Sequence, residues 1–443
     1  MMLIQMHMKD TIRKGGWPLA ERINRVSYFC IVLAAAAMVQ GADWPQFMGP
    51  EGDGTSPEKG LLRAWPEGGP KVLWTRPLGQ GFGPAAVRDG KVYVLDRVDE
   101  KQDVLRCLDL ATGQEAWTFA YDAPGRNPSE GSRSTPAVTD KYIFIVGSFG
   151  HFHCLDRATH QVLWKKNLLT DFGTSKPNWG VAQSPVVYKD MVIVAPQSPS
   201  KGVVACDQAT GAERWHSPPF AAPNKKGDVK AVMDYSTAKL VTVDGQDQFV
   251  VLTQKDVRAV SATDGQPLWT YVHPCQIPIP NLSALGHGKF FVTGAYKAGS
   301  AVIQVSRQDG QWAVKENGKT DEIGGHCHPG LVFENHIYIL CNINERADGL
   351  VCFDAQGKLV WQTKRDPYLC KGGSILTADG IIYLVDGKTG ELYIIEPSPA
   401  GFKPLSKVKM LAGNTIWAPL ALADGRLVIR DQSQMKCLDI RPQ

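Results

Sequence analysis

A module that recurs eight times is the feature that most restricts how this chain folds. Its clearest copy runs from Ser184 to Trp215 and contains a first turn at Asp190, β-rich runs, a second turn at Thr210-Gly211 and a final Trp. A repeat of fixed period decides the fold before local propensities do. The first turns of the eight copies are Asp89-Gly90, Asp140-Lys141, Asp190, Asp244-Gly245, His287-Gly288, Glu334-Asn335, Asp379-Gly380 and Asp424-Gly425.

The repeat length identifies the module as a four-stranded unit. Six copies end in a Trp, and these residues follow one another at intervals of 43 to 54 residues: Trp117, Trp164, Trp215, Trp269, Trp312 and Trp361. Helical repeats of about 34 residues and leucine-rich repeats of about 20–29 are too short, whereas a propeller blade fits. The sequence predicts an all-β, eight-bladed β-propeller of four-stranded blades over residues 71–443, with each Trp packed between neighbouring blades.

The two ends of the repeat region complement each other. The last copy, from Ala418 to Ile440, stops after its third strand, and the segment from Lys71 to Thr75 is an extra strand that precedes the first copy. Joining the two removes the open edges that a ring of sheets would otherwise expose. The sequence therefore predicts that the N-terminal strand, with Trp74, completes the last blade and closes the ring.

The residues before the repeats fall into two segments. In residues 1–41, five Lys or Arg residues precede an apolar run of about 12 residues, from Tyr28 to Val39, and a small residue follows. This layout is typical of a secretory signal peptide, and the run is well below the ~20 residues that span a bilayer. Residues 42–70 are rich in Pro, Gly and Trp, which favours an extended strap against the propeller.

Charge and cysteine positions restrict the function classes. The formal net charge is +4, and it falls to about +1 without the leader; no basic stripe is present, so nucleic acid is excluded as a partner. Ten cysteines in an exported chain suggest disulfides. However, five of them share the third-strand position of different blades, too far apart to pair: Cys107, Cys154, Cys206, Cys352 and Cys437.

The segment from Ala205 to Trp215, with its Asp-Gln-Ala-Thr-Gly core, resembles a known repeat. It is similar to the tryptophan-docking repeat of pyrroloquinoline-quinone (PQQ) dehydrogenases and of the BamB family of outer-membrane assembly lipoproteins, both eight-bladed propellers. The leader and the Asp43-Trp44-Pro45-Gln46 stretch resemble exported PQQ-repeat-like proteins of planctomycete-type bacteria. The resemblance covers about 370 residues and implies a scaffold fold rather than one activity.

Two features of those relatives are missing from this sequence. Quinoprotein alcohol dehydrogenases carry adjacent cysteines over the quinone and a Glu/Asn/Asp set that holds calcium, whereas this chain has no Cys-Cys pair and no recognisable calcium set. The assembly lipoprotein is acylated on a cysteine directly after its signal, whereas Cys30 stands at the start of the apolar run. The resemblance thus supports neither PQQ catalysis nor lipid anchoring.

The segments that join one blade to the next are expected to meet at the axial mouth, and loops on a rigid scaffold concentrate binding residues. They carry seven candidate ligand-binding residues: Arg133, Trp179, Asn281, His326, His328, Lys371 and Trp417. The His326-Cys327-His328 triplet allows three interpretations, namely loop histidines with local hydrogen bonds, contacts to an organic ligand, or zinc or copper ligands. In an extended segment, the two histidines would face one side and Cys327 the other.

Three hypotheses for function follow. The first is an exported, non-catalytic binding or assembly scaffold of the cell envelope, without catalytic residues, resident metal or cofactor, that acts in the periplasm or outside the cell on an envelope protein. The second is a divergent quinoprotein oxidoreductase that uses PQQ, or a divalent metal, in the axial pocket. The third is a module that binds a polysaccharide, another carbohydrate or a peptide. We predict the first, since no catalytic motif is present in the sequence.

Overall fold

The computed structural model describes residues 42–129, 131–220, 233–343 and 346–442. Their regular structure is entirely β and forms eight sheets that follow one another along the chain. Within these ranges no helix is long and apolar enough to cross a membrane. The all-β, eight-bladed propeller that the repeat predicts is confirmed, while the predicted signal peptide, 1–41, lies outside the described residues.

Two strands precede the first blade, and each blade then adds its own strands from the inner to the outer edge. The leading strands are β1 (Thr55–Ser56) and β2 (Lys71–Pro77). Blade 1 contains β3 (Ala86–Arg88), β4 (Lys91–Val98), β5 (Gln102–Asp109) and β6 (Glu115–Asp122). Blade 2 contains β7 (Ala137–Val138), β8 (Tyr142–Val146), β9 (His151–Asp156) and β10 (Val162–Asn167). Blade 3 contains β11 (Val186–Tyr188), β12 (Met191–Val194), β13 (Val204–Asp207) and β14 (Glu213–His216). Blade 4 contains β15 (Lys239–Val243), β16 (Gln246–Leu252), β17 (Asp256–Ser261) and β18 (Pro267–Val272).

The remaining blades follow the same pattern. Blade 5 contains β19 (Ser283–Gly286), β20 (Lys289–Gly294), β21 (Gly299–Gln308) and β22 (Gln311–Thr320). Blade 6 contains β23 (Leu331–Phe333), β24 (His336–Ile343), β25 (Arg346–Asp354) and β26 (Leu359–Gln362). Blade 7 contains β27 (Ser374–Thr377), β28 (Ile382–Val385), β29 (Glu391–Ile395) and β30 (Pro404–Lys409). Blade 8 contains β31 (Ala421–Ala423), β32 (Arg426–Arg430) and β33 (Gln434–Asp439).

The ring closes as the sequence predicts. Strand β2 is the outer strand of blade 8 and pairs antiparallel with β33, with Trp74 opposite Cys437 and Pro77 opposite Gln434. Blade 8 is therefore built from both ends of the propeller, and its four strands belong to one sheet. The N-terminal strand covers the edge that β33 would otherwise expose.

The repeated Trp residues lie between blades, as expected. The indole of Trp74 donates to the carbonyl oxygen of Leu110 in blade 1 at 2.9 Å, and a Cβ on Gly113 would come within 2.5 Å of the Trp74 ring. Trp164 of blade 2 and Gly211 of blade 3 repeat this contact two blades further round the propeller. Glycine is thus required at the second turn because it lets this turn approach the indole of the preceding blade. Burying such a ring stabilises the fold by roughly 4–6 kcal/mol as an upper bound.

The third-strand cysteines are buried and unpaired, in agreement with the sequence analysis. In four blades a cysteine lies directly opposite the Trp of the outer strand, as Cys154 does with Trp164 and Cys352 with Trp361. A small side chain at this position leaves room for the indole on the neighbouring strand. These cysteines therefore have a packing role.

The strap crosses the ring on the side of the first turns. Trp44 is fully buried and forms a bridge with Val87 of blade 1, and Met48 is buried beneath Gly54. Strand β1 then pairs in parallel with β27, the inner strand of blade 7. The strap thus covers part of one end of the axial channel, opposite the mouth where the joining segments meet.

Candidate ligand-binding site at the axial mouth

The joining segments enclose one cavity of about 320 Å³ at the axial mouth, here called the axial cavity. Six of the seven predicted site residues line it: Arg133, Trp179, His326, His328, Lys371 and Trp417. They come from five different blade junctions, so the ring geometry alone brings them together. Their binding role is still a prediction.

Asn281, the seventh predicted residue, does not line the axial cavity. Its side chain is buried, and its amide oxygen accepts a hydrogen bond from Ser236 Oγ at 3.3 Å. Asn281 lines a second cavity on the strap side of the ring. The reason is its position at the end of its joining segment, two residues before β19 begins, where the chain has already left the mouth.

Six Phe, Tyr or Trp side chains contribute to the wall of the axial cavity. Phe82 stacks on Trp417 with ring centroids 5.4 Å apart and an interplanar angle of 25°. Trp179 lies 6.0 Å from Tyr235 on the opposite part of the wall, and the strap residue Phe47 also lines the cavity. These faces can hold a planar ring by stacking.

Two cations stand over these rings. The guanidinium of Arg133 lies 5.2 Å from the centre of Phe82, and the ammonium of Lys371 lies 4.8 Å from the centre of Trp417. Arg133 also donates to the carbonyl oxygen of Gly131 at 2.6 Å, which fixes its orientation. No carboxylate lines the cavity among the described residues. The described lining therefore brings two cations together beside aromatic faces, an arrangement in which a negative ligand group would be stabilised.

All three residues of the His326-Cys327-His328 triplet line the cavity. The expected alternation, with Cys327 on the far side, is wrong because the segment is bent rather than extended. His326 packs edge-on against Tyr296, with ring centroids 5.1 Å apart. The triplet thus presents its residues to the cavity together.

His328 is a neutral polar group held in the wall. Its side chain is 8% exposed, and burial lowers its pKa to about 4, although the nearby backbone of Lys371 and Trp417 favours the protonated form. Neither ring nitrogen has a partner at normal hydrogen-bond geometry within the described part of the chain. Because the contacts of the ring with the backbone of Lys371 and Trp417 are poorly aligned, a ligand that bonds to it at normal geometry would be favoured.

The described residues do not form a metal centre here. Across the described ranges, no group of three or more His, Cys, Asp or Glu side chains is arranged to hold a metal ion. Burial raises the pKa of the Cys327 thiol to about 12, although the nearby Lys371 favours the thiolate. Cys327 is therefore a protonated thiol at neutral pH, which is a poor ligand and a poor nucleophile.

Several lining residues were not among the predicted site residues, and three of them, Phe82, Tyr296 and Phe47, bring an aromatic ring from an unexpected part of the chain. Phe82 belongs to the segment that joins β2 to β3. This segment is the junction between blades 8 and 1, which is hard to recognise in the sequence because the strands of blade 8 come from both ends of the propeller. Tyr296 comes from the hairpin between β20 and β21, which reaches the same face as the joining segments. Phe47 comes from the strap, whose aromatic content signals packing but not the direction of each ring.

The fold and this axial cavity define a PQQ-like β-propeller. Residues 100–276 and 200–400 match the family described as outer membrane protein assembly factor BamB, over more than half of the chain. The chain therefore belongs to this family. Among curated protein sequences, none matches the chain.

Solved structures with the same fold include a BamB protein and alcohol dehydrogenases. BamB from Moraxella catarrhalis is 13% identical with a TM-score of 0.57, over 84% of this chain and 98% of that one. Quinohemoprotein alcohol dehydrogenase ADHIIG from Pseudomonas putida HK5 is 13% identical with a TM-score of 0.60, over 91% and 81%. The enzyme from Comamonas testosteroni is 14% identical with a TM-score of 0.59, over 93% and 82%. At such identities the likeness concerns the fold alone.

The described lining of the axial cavity does not fit a calcium-bound quinone. Its described lining includes no carboxylate that could hold the calcium ion, and adjacent cysteines are missing from the sequence. The aromatic faces and the two cations could still accept a planar anion without the metal. The chemistry of this cavity therefore differs from the calcium and quinone pair that the resemblance to quinoprotein dehydrogenases implies.

Proposed function

We propose that this protein is an exported, non-catalytic binding protein of the cell envelope whose axial cavity holds a compact, planar organic anion. One observation carries the proposal: aromatic faces, two cations and a buried neutral histidine converge on one cavity whose described lining has no carboxylate. Each element has a separate task. The rings stack on the ligand, Arg133 and Lys371 pair with its negative groups, and His328 supplies a hydrogen bond.

The size of the cavity restricts the ligand. A volume of about 320 Å³ lies at the lower end of the range of small-molecule pockets, which is about 300–1,000 Å³. It suits a ring system with a few carboxylates better than a polysaccharide chain. Arg133 and Phe82 together favour a flat anion, because guanidinium and aromatic faces both stack on planar groups.

Thermal shift assays test the cavity. We expect aromatic mono-, di- and tricarboxylates, PQQ among them, to raise the melting temperature of the wild type by a few degrees at saturation, since ligand at 100 times Kd contributes about 2.7 kcal/mol. Arg133→Met and the double variant His326→Ala, His328→Ala should lose most of this shift. Neutral sugars should give none.

Arg126→Met is the matched control. Arg126 is also an arginine of this joining segment, but it is exposed and bonds to Glu100 outside the cavity. This variant should respond to anions as the wild type does. If Arg133→Met and the wild type respond alike to every compound, the axial cavity is not the binding site.

The same panel separates a binding protein from a quinoprotein enzyme. A quinoprotein would require calcium together with PQQ for its shift and would then reduce a dye in the presence of an alcohol. The binding protein responds to PQQ and to other aromatic carboxylates equally with and without calcium, and no dye is reduced. Calcium-dependent dye reduction would contradict the proposal.

Export is the part of the proposal that rests on residues 1–41. We expect the protein purified from its source cells to begin near Ala42, and mass spectrometry of the intact chain can measure this. Leu33→Arg interrupts the apolar run and should leave the uncleaved chain in the cytoplasm, whereas the conservative Arg22→Lys should be exported normally. A wild-type chain that retains residues 1–41 in the cytoplasm would contradict export.

A further inference from the structure

A second cavity, of about 370 Å³, lies on the strap side of the ring and is here called the strap-side cavity. Strap residues 46–47 and 50–53 form one wall, and the inner strands of blades 3, 4 and 5 form the other. Those inner strands are β11, β15 and β19. Because an inner strand has a neighbour on one side only, its other edge faces the channel.

The strap shows how such an edge is used. In blade 1 the two-residue turn Asp89-Gly90 makes Arg88 and Lys91 the hydrogen-bonded pair, so the backbone of Val87 points away from β4. Val87 indeed exchanges two backbone hydrogen bonds with Trp44 of the strap, at 2.7 and 2.9 Å. The strap thus adds a short extended segment to this inner edge.

The same mode recurs in two other blades. In blade 2, the amide of Val138, also two residues before its turn, donates to the carbonyl oxygen of Pro45 at 2.9 Å. In blade 7, the amide of Leu376 donates to the carbonyl oxygen of Gly54 at 3.0 Å, and β1 continues the pairing in parallel. Strand addition to an inner edge is therefore a property of this ring, observed at three of its eight blades.

Blades 3 and 4 present the same edge without such a partner. In blade 4 the turn Asp244-Gly245 follows Val243, which pairs with Gln246, so the backbone of Leu240 and Thr242 points away from β16. Val187 has the corresponding position in blade 3. These three residues line the strap-side cavity, and their backbone groups form no hydrogen bond to another element of the described chain.

The side chains around this edge leave space for an added strand. Ala284 and Gly286 of β19 are small and exposed across the cavity, and Val187 and Leu240 are half-buried. The edge from Leu240 to Thr242 accepts about three to five extended residues, at roughly 3.3 Å each. The neighbouring Lys239 is already fixed by a hydrogen bond to the carbonyl oxygen of Glu51, so it does not close the cavity.

We propose that the strap-side cavity captures an extended segment of a partner protein, which adds as a strand to the inner edge of blade 4. Main-chain hydrogen bonds to Leu240 and Thr242 would supply affinity, and pockets beside Val187 and Ala284 would favour β-branched or small side chains. This surface lies on the opposite side of the ring from the mouth. The inference goes beyond the proposed function and does not depend on it.

Defined peptides test the proposal on the full-length protein. The probes are acetylated, amidated heptapeptides that alternate Val, Ile or Thr with Ser, Gln or Lys, together with fully N-methylated copies. We expect some of the unmodified peptides to bind with micromolar affinity and every N-methylated copy to bind at least tenfold more weakly. Residue-resolved hydrogen exchange should show that binding protects the amides of Leu240 and Thr242, while Val241 and Val243 are protected with or without peptide.

Substitutions locate the peptide. Ala284→Arg fills the cavity from an exposed position and should weaken binding more than tenfold, while Thr270→Arg, on the exposed outer strand of blade 4, should have no effect. Thr242→Pro removes one edge amide and should also weaken binding, whereas Thr242→Val keeps that amide and should not. Arg133→Met should bind peptides as the wild type does, which separates this site from the axial cavity.

Two results would overturn the proposal. The first is that no peptide of the panel binds the wild type. The second is that peptides bind but Ala284→Arg binds them unchanged, or the amides of Leu240 and Thr242 gain no protection. Circular dichroism of each variant confirms that a loss of binding is not a loss of folding.

Discussion

Deleting Lys71–Pro77 should unfold the whole ring rather than loosen one end of it. The deletion removes the outer strand of blade 8 together with Trp74, which is 7% exposed and packs on blade 1. Loss of a buried Trp side chain alone costs about 3–5 kcal/mol, and the total stability of a protein is only about 5–15 kcal/mol. The deletion also exposes the edge of β33, which favours aggregation. We expect no cooperative melting transition near that of the wild type.

Adding the deleted strand back at the C-terminal end of the propeller should restore the fold. In the other blades a short turn joins the third strand to the fourth, as Gln208–Ala212 does between β13 and β14. A copy of this turn followed by residues 71–77, fused after Asp439 in the deleted protein, would supply the missing strand. Differential scanning calorimetry should place its melting temperature within a few degrees of the wild type.

Truncation of residues 42–60 is the control for chain shortening. It removes β1 and the buried residues Trp44 and Met48 but leaves all four strands of blade 8 in place. We expect a destabilised ring that still melts cooperatively and above the protein without residues 71–77. Equal melting temperatures for the two truncations would contradict the role of β2 in closure.

The fold could be predicted from the sequence because the repeat encodes it many times. All eight copies carry the first turn and six end in a Trp, so an irregular copy does not obscure the pattern. Closure by β2 followed from counting strands, since the copy after Ala418 lacks its fourth strand and the segment from Lys71 has no sheet of its own. Topology also explains why six predicted residues meet at the mouth.

The details of the two cavities could not be predicted, because they depend on backbone direction and register. Asn281 belongs to a joining segment but turns towards Ser236, a contact that depends on where β19 begins. Phe47 reaches the axial cavity only because the strap pairs with blades 1, 2 and 7 on either side of it. The open edge of β15 could not be predicted either, because only the pairing of Thr242 with Asp247 shows that the Thr242 amide points away from β16.

Two buried histidines predict a marked dependence of stability on acidity. His153 and His273 are buried, and burial lowers the pKa of each to about 4, from a usual value of 6.5. As the pH falls below 6.5, the unfolded chain binds protons at these histidines before the folded chain does. Their contribution to stability is therefore fully present above pH 6.5 and is lost as the pH falls towards 4.

The surroundings of the two rings explain these pKa values. His153 packs on Tyr121 of blade 1, with ring centroids 4.5 Å apart, and the nearby His151 and Lys165 further disfavour its charged form. At His273, Lys319 also lowers the pKa, while Glu316 opposes this effect. Asp234 acts in the other direction, because burial raises its pKa to about 6 and its protonation stabilises the fold as the pH falls.

Replacing His153 and His273 together should make the protein less sensitive to acid. Between pH 7 and pH 5 each buried histidine reduces the free energy of unfolding by about 2 kcal/mol. The double variant His153→Gln, His273→Gln should therefore lose about 4 kcal/mol less than the wild type over this interval, whatever its stability at pH 7. Urea denaturation at the two pH values measures this difference directly. His287→Asn, at an exposed turn residue before β20, is the control for the loss of an imidazole and should follow the wild type. If the double variant and the wild type lose equal stability, His153 and His273 accept protons in the folded propeller as readily as in the unfolded chain. Burial would then not lower their pKa values.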